Sequence, residues 1–102
     1  ARGREVGIDV EAIHPVAEAD AIAGSVFSAA ERSAYLALAP GDRALGFLRL
    51  WTRKEALAKA LGAGLSLPLE RLDATRAPGG WRLESFSPLP GFIAALAAQQ
   101  GT

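Results

Sequence analysis

Asp9 and Glu11 stand two residues apart in REVGIDVE, Arg4 to Glu11, where Val6, Ile8 and Val10 alternate with Glu5, Gly7, Asp9 and Glu11. A period of two is that of a β-strand, with one apolar face and one carrying carboxylates. Asp9 and Glu11 therefore become neighbours. Like charges placed together repel unless they are solvated or bridged by a cation. A hard divalent ion such as Mg²⁺ takes such oxygen ligands, often beside substrate phosphates. A solvated strand face is the plainer alternative.

A second cluster is Trp51-Thr-Arg-Lys54-Glu55-Ala-Leu-Ala-Lys59. On a helix Glu55 and Lys59, at i and i+4, share a face, and Lys54 lies about 100° round from Glu55. A glutamate preceding a lysine at this spacing is also an ordinary surface pair, worth only about 0.3–0.5 kcal/mol. Thr52 falls close to the same side. Gly62-Ala-Gly64 would let backbone amides approach a phosphate, but it follows a helix rather than opening one, so it reads as a helix stop and turn. His14 is the only histidine, which excludes a His-His metal site, and beside Pro15 it reads as a loop residue. Ser25, Ser28 and Ser33 have no visible base partner and no G-x-S-x-G setting.

The elements that must carry these groups follow from periodicity and turn chemistry. Val16 to Phe27, with Val16, Ala19, Ile22, Ala23 and Val26 at helical spacing, is a predicted helix. Ser28-Ala-Ala-Glu31 fits a capping box with Phe27 as staple, opening a second helix to about Leu38. Asp42, after a Pro40-Gly41 turn, is an N-cap candidate. Arg43 to Leu61 is the longest periodic segment, with Leu45, Leu48, Trp51, Ala58 and Leu61 as its apolar stripe. Three further strands are expected in Ser66–Thr75, WRLESF and GFIAALAA, separated by Pro/Gly turns. The pattern describes one α+β domain over residues 1–102: an antiparallel sheet with helices packed on one face.

Composition narrows the class. The 102 residues carry eleven basic and eleven acidic side chains, and 50% of them are hydrophobic. Zero net charge gives no general field for nucleic acid or anionic lipid. The chain has no cysteine, so thiolate metal sites and cysteine nucleophiles are excluded, which fits a reducing cytoplasm. No apolar run approaches the roughly 20 residues of a membrane span. The chain opens on Ala1 with a strand beginning within a few residues, and is read as a processed product, or a piece of a longer protein.

Taken together and in order, Val6-Gly7-Ile8-Asp9-Val10-Glu11 and Trp51-Thr-Arg-Lys54-Glu55-Ala-Leu-Ala-Lys59-Ala-Leu-Gly62-Ala-Gly64-Leu resemble the paired signature of the 4′-phosphopantetheinyl transferases. That signature is G-[IV]-D followed some forty-odd residues later by W-[ST]-x-K-E-[SA]-x-x-K. Here Glu55 follows Asp9 by 46 positions. Val26-Phe27-Ser28 with Glu31, and Leu65-Ser-Leu-Pro-Leu69, are also similar to the family. Trp51 before Thr52, the Asp9-x-Glu11 pair and the Leu65–Leu69 run resemble the larger Sfp-type branch, and within it the C-terminal half. The S-H-S segment of that branch lies upstream of its G-I-D strand, where this chain has not begun.

The resemblance implies transfer of the phosphopantetheine arm of coenzyme A to a serine of an acyl or peptidyl carrier protein, with release of 3′,5′-ADP. It implies Asp9, Glu11 and Glu55 as Mg²⁺ ligands. Glu55 would deprotonate the carrier serine, directly or through a metal-bound water. Lys54 and Lys59 would hold phosphate oxygens, with Lys59 also serving the leaving group. The carrier would dock near His14 to Phe27, where Val16, Ile22 and Val26 could equally be core. The alternative is a non-catalytic half-domain that binds a carrier or a partner subunit, and association with an N-terminal half or with further copies is a third expectation.

Overall fold

A computed structural model describes residues 5–62 and 68–100. The alternating segment forms strand β1 (Val6–Ala12), followed by helices α1 (Ala19–Val26), α2 (Ala29–Leu36) and α3 (Arg43–Leu61). Strands β2 (Trp81–Phe86) and β3 (Phe92–Gln99) complete the fold, and short 3-10 turns lie at Pro40–Asp42 and Leu69–Arg71. β2 and β3 form a hairpin, and β1 pairs antiparallel with the free side of β3, giving the order β1-β3-β2. Helix α3 packs across one face of this sheet, which is the α+β arrangement expected.

Local chemistry explains the helix ends. At α2 the Ser28 hydroxyl accepts the Glu31 amide at 3.2 Å while the Glu31 carboxylate accepts the Ser28 amide at 2.7 Å, the reciprocal capping box. Helix α1 begins at Ala19 rather than Val16, with Glu18 at its N-cap and no side-chain cap bond. Asp42 occupies the N-cap of α3 without a side-chain bond. The helix ends at Gly62, whose φ of +92° is one that residues with a Cβ rarely adopt. Gly64 lies outside the described residues.

Two expectations are corrected, and β1 presents its faces against the common rule. The segment Ser66–Thr75 was expected as a strand; its described part, from Pro68, forms a 3-10 turn and extended chain with no ladder partner. Its polar groups are satisfied by side chains of α2 and α3 instead. The stripe of α3 is rotated: Leu45 and Leu61 are exposed, whereas Phe47, Leu48, Leu50, Ala56, Leu57 and Ala60 are buried. Finally, the apolar side of β1 faces outwards. Val6, Ile8 and Val10 are about half exposed, while Gly7 and Asp9 are buried beneath α3.

Two apolar clusters hold the layers together. One joins Ala56, Leu57 and Ala60 of α3 to Leu72, Ala74, Leu83, Ala95 and Ala97. Small side chains on both surfaces bring helix and sheet close. The other gathers Phe27, Tyr35, Phe47, Leu48 and Ile93, with Val16, Ile22 and Val26 packed against it, so these three residues belong at least partly to the core. Phe27 and Phe47 stack with ring centroids 5.4 Å apart.

Candidate functional site

The site is a seam where β1 runs beneath the C-terminal half of α3. Its closeness depends on Gly7: a Cβ there would lie 2.1 Å from the Ala56 carbonyl oxygen and 2.7 Å from the Ala60 nitrogen. No residue with a side chain fits. The register then sets Gly7 opposite Ala97, Asp9 opposite Ala95 and Glu11 opposite Ile93, all on the helix side of the sheet. One helical turn separates Ala56 from Ala60, and Glu55 and Lys59 precede them by one position each. Both charged residues therefore overhang the edge of the seam at the level of the β1 carboxylates.

Lys59 donates to the Asp9 carboxylate at 2.9 Å and to the Ile8 carbonyl at 3.1 Å. Its side chain is 50% exposed, that of Asp9 only 9%. The bond to Asp9 raises the Lys59 pKa above its ordinary value, and the charges of Asp9, Glu55 and Glu11 add to the effect against a smaller opposing effect of burial. Glu11 has its pKa raised too, first by partial burial, then by the Asp9 carboxylate and more weakly by Glu55, with His14 acting slightly the other way. Asp9, Glu11, Glu55 and Lys59 thus lie within one another's fields. Three carboxylates against one ammonium leave the seam net negative.

The second oxygen of Asp9 is buried with no hydrogen-bond partner. A buried, unpartnered carboxylate oxygen is costly unless something comes to it. The donors here are all hard oxygens, the set a divalent cation such as Mg²⁺ selects. The residues therefore fit such an ion in kind. They are not assembled into a cage: among the described residues no group of three or more acidic or imidazole side chains converges tightly enough to hold a metal.

Lys54 was expected to hold phosphate; the structure places its side chain in the interior. It is fully buried, and its ammonium pairs with Glu31 at 2.8 Å and donates to the carbonyls of Leu69, at 2.6 Å, and Leu72. Three donors meet three acceptors, so none remains for a ligand. The other Glu31 oxygen accepts the Ala74 amide at 2.6 Å. Thr52 is buried and bonded to the Arg49 carbonyl, and His14 is an exposed loop residue, as expected. Glu31 is legible in the sequence as a cap and as part of the family resemblance; its bonds to Lys54 and Ala74 join residues 23 and 43 positions away, which spacing does not reveal. Arg53 was missed altogether: it is buried and donates to the Ala74 carbonyl at 2.7 Å and to Ser85 of β2 at 3.1 Å, tying α3 to the far strand. Gly7 did carry a signal, since a glycine inside an alternating strand marks close backbone approach.

A shallow groove of about 500 Å³ lies apart from the seam, lined by Val16, Ala17, Asp20, Tyr35 and Arg43 among others. The Tyr35 hydroxyl donates to Asp20 at 2.7 Å, and the Arg43 guanidinium sits 5.9 Å from the Tyr35 ring centre.

Residues 5–97 match the model of the 4′-phosphopantetheinyl transferase superfamily. The chain is 39% identical over 71 residues to the 4′-phosphopantetheinyl transferase AcpT of Escherichia coli K12, covering 70% of this chain and 36% of that protein. It is 30% identical over 103 residues to the 4′-phosphopantetheinyl transferase HetI of Nostoc sp. PCC 7120, covering 92% of this chain and 43% of that one. The chain thus spans less than half the length of these curated relatives. Its fold is similar to that of the holo-[acyl-carrier-protein] synthase AcpS of Thermotoga maritima, with a TM-score of 0.71 at 23% identity over 96% of this chain and 64% of that structure.

Proposed function

Because the chain belongs to the 4′-phosphopantetheinyl transferase superfamily, we propose that the seam between β1 and α3 moves the 4′-phosphopantetheine arm of coenzyme A onto a serine of an acyl or peptidyl carrier protein. The observation that supports this reading is that Asp9, Glu11, Glu55 and Lys59 lie within one another's fields along one partly open edge, with one Asp9 oxygen left unpartnered. In the reaction a bond forms between the serine oxygen and the β-phosphorus of coenzyme A. The bond from that phosphorus to the bridging oxygen breaks, and 3′,5′-ADP leaves.

Such a displacement needs positioning and neutralisation of charge more than covalent help. Mg²⁺ held by Asp9, Glu11 and Glu55 would supply charge neutralisation for the pyrophosphate. Glu55, at the open edge, takes the serine proton. Lys59 is half exposed on a flexible stem, which lets its ammonium turn from Asp9 to the leaving phosphate and stabilise or protonate it. Asp9 and Glu11 stay fixed by the strand. Lys54 has no part in phosphate binding in this reading, because its ammonium is saturated inside the protein.

The carrier protein would dock beside α1, over the groove edged by Val16, Asp20, Tyr35 and Arg43. The outer face of the sheet favours a further body. Val6, Ile8, Val10 and Phe86 are 59, 49, 48 and 43% exposed, a run of apolar side chains costly to leave in water. An N-terminal half of the Sfp type, or another copy, covers this face in our reading, and this chain then corresponds to the C-terminal half. The same observation supports the alternative of a half-domain that is inactive until joined.

The function is tested by chromatography of the nucleotide product. Coenzyme A, Mg²⁺, an apo carrier protein and the full-length protein should release 3′,5′-ADP in proportion to carrier consumed. Release without carrier, or none with it, would contradict the assignment.

A further inference from the structure

Among the described residues, the Glu31–Lys54 pair is the most deeply buried charge that the proposed chemistry does not use. Both side chains are fully shielded from solvent, and every polar atom of the pair is engaged. Its partners come from three separate parts of the fold. Ser28 belongs to the start of α2, Lys54 to the middle of α3, and Leu69, Leu72 and Ala74 to the chain returning from α3 towards β2. A buried ion pair is seldom the most stable filling for such a space, since apolar residues of similar volume do as well or better. What a saturated ammonium supplies instead is direction: three acceptors at fixed points define where Nζ must lie.

Lys54 immediately precedes Glu55, so the two side chains leave α3 about 100° apart. Fixing one fixes the other. The Gly7 contact sets how deeply α3 sits on the sheet, at Ala56 and Ala60. It does not by itself stop the helix rolling over a flat patch of Ala95 and Ala97. Lys54, on a different side of the helix, does. Arg53, reaching the Ala74 carbonyl and Ser85, braces the same returning chain.

We infer that Lys54 is a positioning residue: with Glu31 as its counter-ion it sets the roll of α3, and thereby the approach of Glu55 and Lys59 to the Asp9 and Glu11 carboxylates. The inference rests on the transferase reading only for its consequence in turnover; the geometric part stands apart from it. It also explains why a lysine next to the catalytic glutamate points away from the site.

The test replaces both charges together, Glu31→Leu with Lys54→Met, in the full-length protein, so that no buried charge is orphaned. Glu31→Gln serves as a milder second variant that keeps the size of the side chain. Backbone amide shifts are compared with wild type, and kcat and KM for coenzyme A are measured on folded protein. The expected result is shift changes reaching Asp9, Glu11, Glu55 and Lys59, a kcat at least tenfold lower, and a KM for coenzyme A within about twofold of wild type. The milder variant should show the same split with a smaller fall. Shift changes confined to residues 28–31 and 68–74, with unchanged kcat, would reduce the pair to a packing element and overturn the inference. A raised KM with preserved kcat would make Lys54 a phosphate ligand and overturn it as well. If the wild-type protein transfers nothing from coenzyme A, the functional reading fails while the amide shifts still decide the role of the pair. Should the doubly substituted protein not fold, the Glu31→Gln protein decides both arms.

Discussion

The α-carbon of Gly7 meets the Ala56 carbonyl so closely that an added Cβ would stand 2.1 Å from its oxygen. The φ of Gly7 is not in the left-handed region, so the glycine is required by space alone. Backbone against backbone is what lets short carboxylate side chains on β1 meet side chains of α3. Gly7→Ala is therefore expected to lower stability by about 1–3 kcal/mol or more, through overpacking. Activity should fall further than the loss of folded protein explains, because the strand is pushed off the helix. Thermal melts with activity per folded molecule check this, and a variant with unaltered melting would show that the contact is looser than described.

Single truncation within the Glu31–Lys54 pair leaves a charge in the core. Lys54→Ala or Glu31→Ala should each cost about 3–5 kcal/mol, read from denaturant midpoints. Glu31→Ala should be the worse of the two, since it also removes the carboxylate half of the capping box, the acceptor of the Ser28 amide, and the acceptor of the Ala74 amide. Equal and small losses would place the pair in water rather than in the core.

Glu11 makes stability depend on pH. Its pKa in the fold is raised above the ordinary 4.5, by partial burial first and then by the Asp9 and Glu55 carboxylates. A group raised in this way contributes stability that is full below the unfolded value and lost as pH rises through the folded value. Its ionised form is thus a burden at neutral pH. Glu11→Gln should melt higher than wild type at pH 7 without added cation, and no higher at pH 3. A lower melting temperature at pH 7 would contradict the crowding of carboxylates on the seam.

Asp9 serves two neighbours. Asp9→Asn should lower the pKa of Lys59 towards its ordinary range, because the bond to Asp9 is the first cause of its elevation. The same change should raise the Mg²⁺ concentration needed for half-maximal turnover by tenfold or more. Saturation with Mg²⁺ at the wild-type concentration would remove Asp9 from the cation site.

The residues of the seam were legible because they obey short periods. Alternation placed Asp9 and Glu11 together, and helical spacing placed Glu55 with Lys59. The capping box at Ser28 and the stop at Gly62 are equally local. What was not legible depends on partners distant along the chain. The outward turn of Val6, Ile8 and Val10 inverts the usual rule that an apolar strand face seeks the core, and it is dictated by Gly7 and Asp9 fitting beneath α3. Lys54 resembled its neighbours in the motif, and only its burial distinguishes it. The segment after Pro68 carries apolar residues in a strand-like pattern, yet its Leu69 and Leu72 carbonyls accept from Lys54 and no strand pairs with it.

The most direct measurement is the intact mass of an apo carrier protein after incubation with coenzyme A, Mg²⁺ and the full-length protein, beside its Glu55→Ala and Lys59→Ala variants. The account predicts a gain of one phosphopantetheine with wild type, and its loss in both variants while their melting temperatures stay within a few degrees. A gain that persists at near wild-type rate in folded Glu55→Ala protein would contradict the placement of the chemistry on the β1–α3 seam.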